Sequence, residues 1–113
     1  MPQDYYPSGP FLGQLPDHGE FDVLREDFLL GFGVRTARAY KTDLEDFREW
    51  CAGSAVDPIR AAATDLDAFT RSLGERGYAS GTVARRIAAL RGFFDHLVAT
   101  GALESSPAGG LGS

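Results

Sequence analysis

Residues 78–103, YASGTVARRIAALRGFFDHLVATGAL, decide the fold. Val83, Ile87, Leu90, Phe94, Leu97 and Val98 recur at spacings of three and four. At about 100° per residue they form one apolar stripe, so the stretch reads as a helix with that stripe in the core. The opposite side carries Arg85, Ala88, Ala89 and Gly92, with Arg86 and Arg91 at its flanks. Alanine and arginine are good helix formers, so one reading of this face is solvated filler. The other is a bare cationic surface, where small residues let the backbone approach a large partner and arginines take its phosphates, as for a helix in a DNA groove.

A second helix of the same kind lies upstream, over about Val34 to Cys51, VRTARAYKTDLEDFREWC. Tyr40, Leu44, Phe47 and Cys51 fall at i, i+4, i+7, i+11 and form its buried line, with Trp50 at the edge. Arg35, Arg38, Lys41 and Thr42 project from the other side of its first half. A Lys41–Glu45 pair at i, i+4 would merely support the helix, but Arg35 and Arg38 have no such acid. Cations at a helix N-terminus oppose the dipole, a cost that an external anion would offset.

The other two helices read as packing elements. The first spans about Phe21 to Leu30, with Phe21, Leu24, Phe28 and, just past its end, Phe32 on its apolar line and Asp22, Glu26 and Asp27 in its first turns. Gly31 and Gly33 around Phe32 end it. Asp57-Pro58 marks a turn before a short helical piece at Ile59 to Ala62. Thr64 then caps a third helix, with Asp67 completing the capping pattern, Leu66, Phe69 and Leu73 buried, and Gly74 and Gly77 at its end. Arg76 falls at that end, away from the cationic faces, and Ser80 is the expected N-cap of the fourth helix.

At 113 residues with 43% hydrophobic and 12% aromatic content, the chain is expected to be one domain with a single core. The net charge of −5 argues against nucleic acid until it is located: residues 1–33 hold six acids against Arg25, so the remaining residues are neutral. Within them the charges segregate. Arg35, Arg38 and Lys41 precede any acid in their helix, and Arg85, Arg86 and Arg91 precede Asp95 in theirs. One cysteine, Cys51, excludes an internal disulfide and reads as core. No apolar run has membrane-spanning length and no secretory pattern opens the chain, so a cytoplasmic place and no membrane partner are expected.

Residues 1–19, rich in proline and glycine, read as a flexible tail. The helical domain is expected over 20–105. Residues 106–113 read as a linker to a further domain, with only Leu111 to pack. No catalytic constellation is visible. His18 lies in the tail, His96 lies beside Asp95, Asp43, Asp46 and Glu49 read as solvating charges, and no cluster has metal or cofactor spacing.

Laid out in this way, the chain resembles the N-terminal, core-binding domain of tyrosine recombinases and phage-type integrases, in particular the Xer type. TVARRIAALRGFFDHL, Thr82 to Leu97, is similar to the family's fourth-helix pattern of a hydroxyl residue, paired arginines, an apolar-Leu-Arg step and two aromatics before a final leucine. TARAYKTDLEDFREWC, Thr36 to Cys51, is similar to its second-helix pattern, and SPAGGL, Ser106 to Leu111, to the linker that leads into the catalytic domain, with Ser106 in place of Asn. Gly33 and Ala79 depart from it, standing where the family usually caps a helix with Ser. The resemblance implies an all-α, four-helix SAM-like orthogonal bundle, with the short extra helix, that forms half of a clamp around double-stranded DNA. It implies DNA contacts at Arg35, Thr36, Arg38 and Lys41 on the second helix and at Ser80, Thr82, Arg85, Arg86 and Arg91 on the fourth. It implies catalytic residues and a catalytic domain beyond this chain, other recombinase protomers as partners, and no cofactor. A helical protein-interaction module, with the Arg/Ala faces docking an acidic partner, is the alternative.

Overall fold

Proline fixes φ and lacks an N–H, so it is tolerated in the first turn of a helix, and in the computed structural model helix α1 begins at Pro16 and runs to Leu29. The structure describes residues 16–111, and side chains from Gly19. The expected tail therefore lies outside the described residues up to residue 15, while residues 16–19 are the first turn of α1. Helix α2 spans Val34–Gly53, α3 Ala63–Glu75 and α4 Ser80–Ala99. Among the described residues there are four helices and no strand.

Phenylalanines hold these helices together. Phe21 of α1 meets Phe93 of α4 with ring centroids 5.3 Å apart, and Phe28 meets Phe93 at 5.8 Å. Phe47 of α2 meets Phe69 of α3 at 5.2 Å and Phe94 of α4 at 6.1 Å. Tilted and edge-on pairs of this kind add to the burial of the rings. The expected core residues Leu44, Phe47, Cys51, Leu66, Phe69, Leu73, Leu90, Phe94 and Leu97 are all buried.

The buried face of α4 is turned from the expected one. Phe93, Ala89 and Arg86 are inside, while Val83 and Ile87 are only partly covered and Ala88 is exposed. Gly92 also faces inward: a Cβ there would lie 3.2 Å from Cζ of Phe28, so a larger residue would require that ring to shift by a few tenths of an ångström.

Two local expectations are corrected and a third is extended. Residues 59–62 form no helix. The Asp57 carboxylate accepts the Ile59 N–H at 2.9 Å and the Asp57 carbonyl accepts the Arg60 N–H at 3.1 Å, a local turn that competes with helix and carries Ile59 and Ala61 into the core. Helix α3 starts one residue before Thr64, because the Asp65 carboxylate accepts the Ala62 N–H at 2.9 Å and fixes the N-terminus there. In residues 106–111 Leu111 packs as expected, and Ala108 packs as well. Ser106 Oγ accepts the Ala108 N–H at 3.1 Å, and Ala108 and Leu111 are 1% and 4% exposed, within the core cluster. Turns at both ends of this segment let two small apolar contacts anchor a glycine-rich sequence that carries no periodicity.

Candidate nucleic-acid interface

Helices α2 and α4 start without side-chain caps. Gly33 and Ala79 are their N-caps, in extended conformation, and neither first turn holds an acid. Helix α3 differs, with Asp65 in its first turn. Ser80 is thus the first helical residue of α4 rather than its cap, and its side chain is exposed. Two helix starts with bare N–H groups and no local anion suit an anion from outside.

The cations that follow on α2 are where the spacing predicts. Arg35, Thr36, Arg38 and Lys41 are exposed, and none of the three cations makes an ion pair among the described residues. Glu45, the potential partner of Lys41, instead meets Nη1 of the buried Arg25 of α1 at 3.4 Å. Arg48 pairs with Asp22 of α1.

On α4 the three arginines separate into three environments. Arg91 is exposed and has no ion pair among the described residues; with Ala84, Ile87 and Ala88 it lines an open groove along the helix. Arg85 is half exposed but held: its Nε and Nη2 donate to the two carboxylate oxygens of Asp43 at 2.9 and 2.8 Å. Asp43 was expected at the surface, yet its side chain is fully buried between α2 and α4. Arg86, expected on the outer face, is also buried. Its Nη1 lies 3.5 Å from both Asp43 and Asp46, and its guanidinium stacks on Tyr78 at 4.8 Å from the ring centroid. Its Nε and Nη1 find no hydrogen-bond partner. Thr82 is partly covered.

Arg76 does not stand apart from this side of the molecule. It donates to both carboxylate oxygens of Asp46 at 3.1 and 2.8 Å and lies 5.2 Å from the Tyr78 ring. The result is a chain of alternating charge, Arg76, Asp46, Arg86, Asp43, Arg85, that ties α2 to the end of α3 and the start of α4. The Asp43 hydrogen bonds push the Arg85 guanidinium above its ordinary pKa, and those of Asp46 do the same for Arg76.

His96 Nε2 lies 2.7 Å from Asp27 of α1, and the described residues hold no group of side chains arranged for a metal ion.

This arrangement has relatives. A family model, the phage integrase N-terminal SAM-like domain, matches residues 31–101. The chain belongs to this family. It is 41% identical over 75 residues to the tyrosine recombinase XerC of Roseiflexus castenholzii, covering 66% of this chain and 24% of that protein. It is 33% identical over 79 residues to the tyrosine recombinase XerD of Rhizobium meliloti, covering 70% and 25%. With XerC of Chlorobaculum tepidum it shares 33% over 96 residues, covering 79% and 28%. The SAM-like domain thus spans about a quarter of the length of the curated relatives it matches. No solved structure matches it.

Sequence reasoning missed Asp43, Asp46 and Tyr78 as parts of this site in the SAM-like domain. One signal was present for Asp43, which stands three residues after Tyr40 and four before Phe47, on the edge of the buried line of α2. Nothing in the spacing marks Tyr78 or Asp46.

Proposed function

We propose that the chain is the DNA-binding, core-binding part of a site-specific tyrosine recombinase or integrase, and that it closes on one side of duplex DNA. What supports this most is the set of exposed cations Arg35, Arg38 and Lys41 on α2 and Arg91 on α4, unpaired among the described residues of a chain whose net charge is −5. An acidic protein that leaves these cations unneutralised, behind two helix starts that lack acids, presents a local anion-binding surface. Helix α2 packs most extensively against α4, so the two cationic helices are neighbours. Thr36, Ser80 and Thr82 supply hydroxyls beside them, and Arg85 adds a half-exposed guanidinium. Arg86 supports this surface from beneath and makes no contact of its own.

Cleavage and rejoining belong to a catalytic domain of the parent protein, which with other recombinase protomers is the domain's protein partner. A cytoplasmic place follows from that role, and no described helix is long and apolar enough to cross a membrane.

Half a clamp makes few phosphate contacts, so the isolated domain binds with a dissociation constant of about 10⁻⁴ to 10⁻⁶ M. Replacing Arg38 by Ala flattens the dependence of log K on log salt by about 0.9. Replacing Arg71, which is exposed on α3 rather than on α2 or α4, leaves it unchanged. Amide shifts on titration with duplex DNA locate the contact. Shifts confined to α1 and α3, or equal salt slopes for the two variants, refute the proposal.

A further inference from the structure

The turn between α1 and α2 carries an apolar tip that the core does not use. Leu30 is 84% exposed and Val34 74%, whereas Phe32 between them is 37% exposed and packs edge-on against Phe28 at 5.0 Å and Tyr40 at 5.1 Å. Three successive backbone bonds hold the turn: Leu30 N–H to the Asp27 carbonyl at 3.3 Å, Gly31 N–H to Phe28 at 3.2 Å and Phe32 N–H to Leu29 at 3.2 Å. With Phe32 as its anchor, the tip holds Leu30 and Val34 out on a fixed backbone, so little ordering cost falls on a contact they make.

Its surroundings indicate what the tip meets. From Leu30 to Thr42 the chain holds Arg35, Arg38 and Lys41 and no acid, and Val34 is the first residue of the helix that displays them. An apolar tip that leads into three unpaired cations, with the acids just before it, Glu26 and Asp27, engaged by Arg25 and His96, fits a partner that is anionic overall yet offers apolar points at the bottom of a groove. Duplex DNA has that chemistry, because each thymine places its C5 methyl in the major groove. Resting on the DNA-binding reading above, we infer that Leu30 and Val34 contact thymine methyl groups next to the phosphates bound by Arg35 and Arg38. This tip makes the domain selective for thymine at the edge of its site. The cations supply affinity without sequence information, and the tip supplies part of the sequence information.

The probe is a random-sequence duplex pool from which the full chain selects its preferred sequences, each then made with thymidine or with deoxyuridine, which pairs identically but lacks the methyl. Selected duplexes are expected to carry thymine at fixed positions. Replacing it by uracil there weakens binding about fourfold per methyl, from about 0.8 kcal/mol per buried carbon at 1.4 kcal/mol per tenfold. Leu30→Ser and Val34→Ser, both at exposed positions, are expected to melt as the parent does and to bind the two forms equally. Binding of neither form overturns the DNA reading together with this inference. Binding of the thymine and uracil forms with equal affinity overturns the inference alone. So does an equal loss on both forms by the two variants, which marks the tip as a protein-docking or backbone contact.

Discussion

Asp43→Asn tests whether the buried charge chain is a structural device. The substitution keeps the shape of the side chain and removes the one carboxylate that, among the described residues, lies beside both Arg85 and Arg86. Breaking a buried ion pair by removing one partner costs about 3 to 5 kcal/mol. Two features place Asp43→Asn at the low end. The Arg85 side chain is 42% exposed and can turn to water, and Asp46 stays 3.5 Å from Arg86. A loss of about 3 kcal/mol is a large share of the roughly 5 to 15 kcal/mol that stabilises a domain, and it lowers the melting temperature by roughly 12 °C or more. Arg85→Ala is milder, about 1 to 2 kcal/mol, since Asp43 keeps Arg86 beside it. Adding Arg86→Met to Asp43→Asn removes the stranded cation and recovers at least about 1 kcal/mol relative to additivity. Urea unfolding of Asp43→Asn, Arg85→Ala, Arg86→Met alone and the Asp43→Asn/Arg86→Met double variant measures all of these. A single-variant loss below about 1 kcal/mol, or strict additivity in the double, would falsify the account of a buried pair that locks α2 to α4.

Two further perturbations follow from particular residues. Burial, with Asp65 and then Asp57 nearby, pushes the Cys51 thiol up to about 12, against about 8.5 for an unfolded chain. The folded state keeps this proton where the unfolded state loses it, so the contribution is whole below pH 8.5 and is lost as pH rises toward 12. Cys51→Ala is expected to reduce that alkaline loss, and the native thiol to resist iodoacetamide at pH 8; rapid alkylation of folded protein would contradict both. Ala55 sits at φ 58° after α2, a left-handed conformation that costs an L-residue about 1 kcal/mol, so Ala55→Gly is expected to raise the melting temperature by several degrees. A lower melting temperature would show that the gain is outweighed by freedom returned to the unfolded chain.

How far the sequence was legible depends on whether the deciding partner was local. Four helices and most of the core followed from the 3.6-residue period, because burial of an apolar stripe is a property of the helix itself. The direction of the stripe on α4 did not follow. From Ile87 to Leu90 the helix is apolar at every position, so spacing alone fits more than one buried face. Contacts from elsewhere chose between them: Phe21 and Phe28 draw Phe93 inward, and Asp43 makes a buried place for Arg86.

The same division runs through the candidate site. On α2 the exposed cations were legible, since an arginine with no acid within a turn of it stays free unless another helix supplies one. Lys41 is the informative case: its local acid exists, but Arg25 takes Glu45, so tertiary pairing frees a cation that the local rule would have neutralised. On α4 the rule failed in the other direction. Arg85 has no acid three or four residues away, yet finds one 42 residues upstream, and Arg86 shares it. A count of arginines on that helix therefore overstates its free charge: of three, Arg91 alone is both exposed and unpaired among the described residues. The anion-binding capacity of the proposed face accordingly rests more on α2 than on the helix whose pattern is the more recognisable.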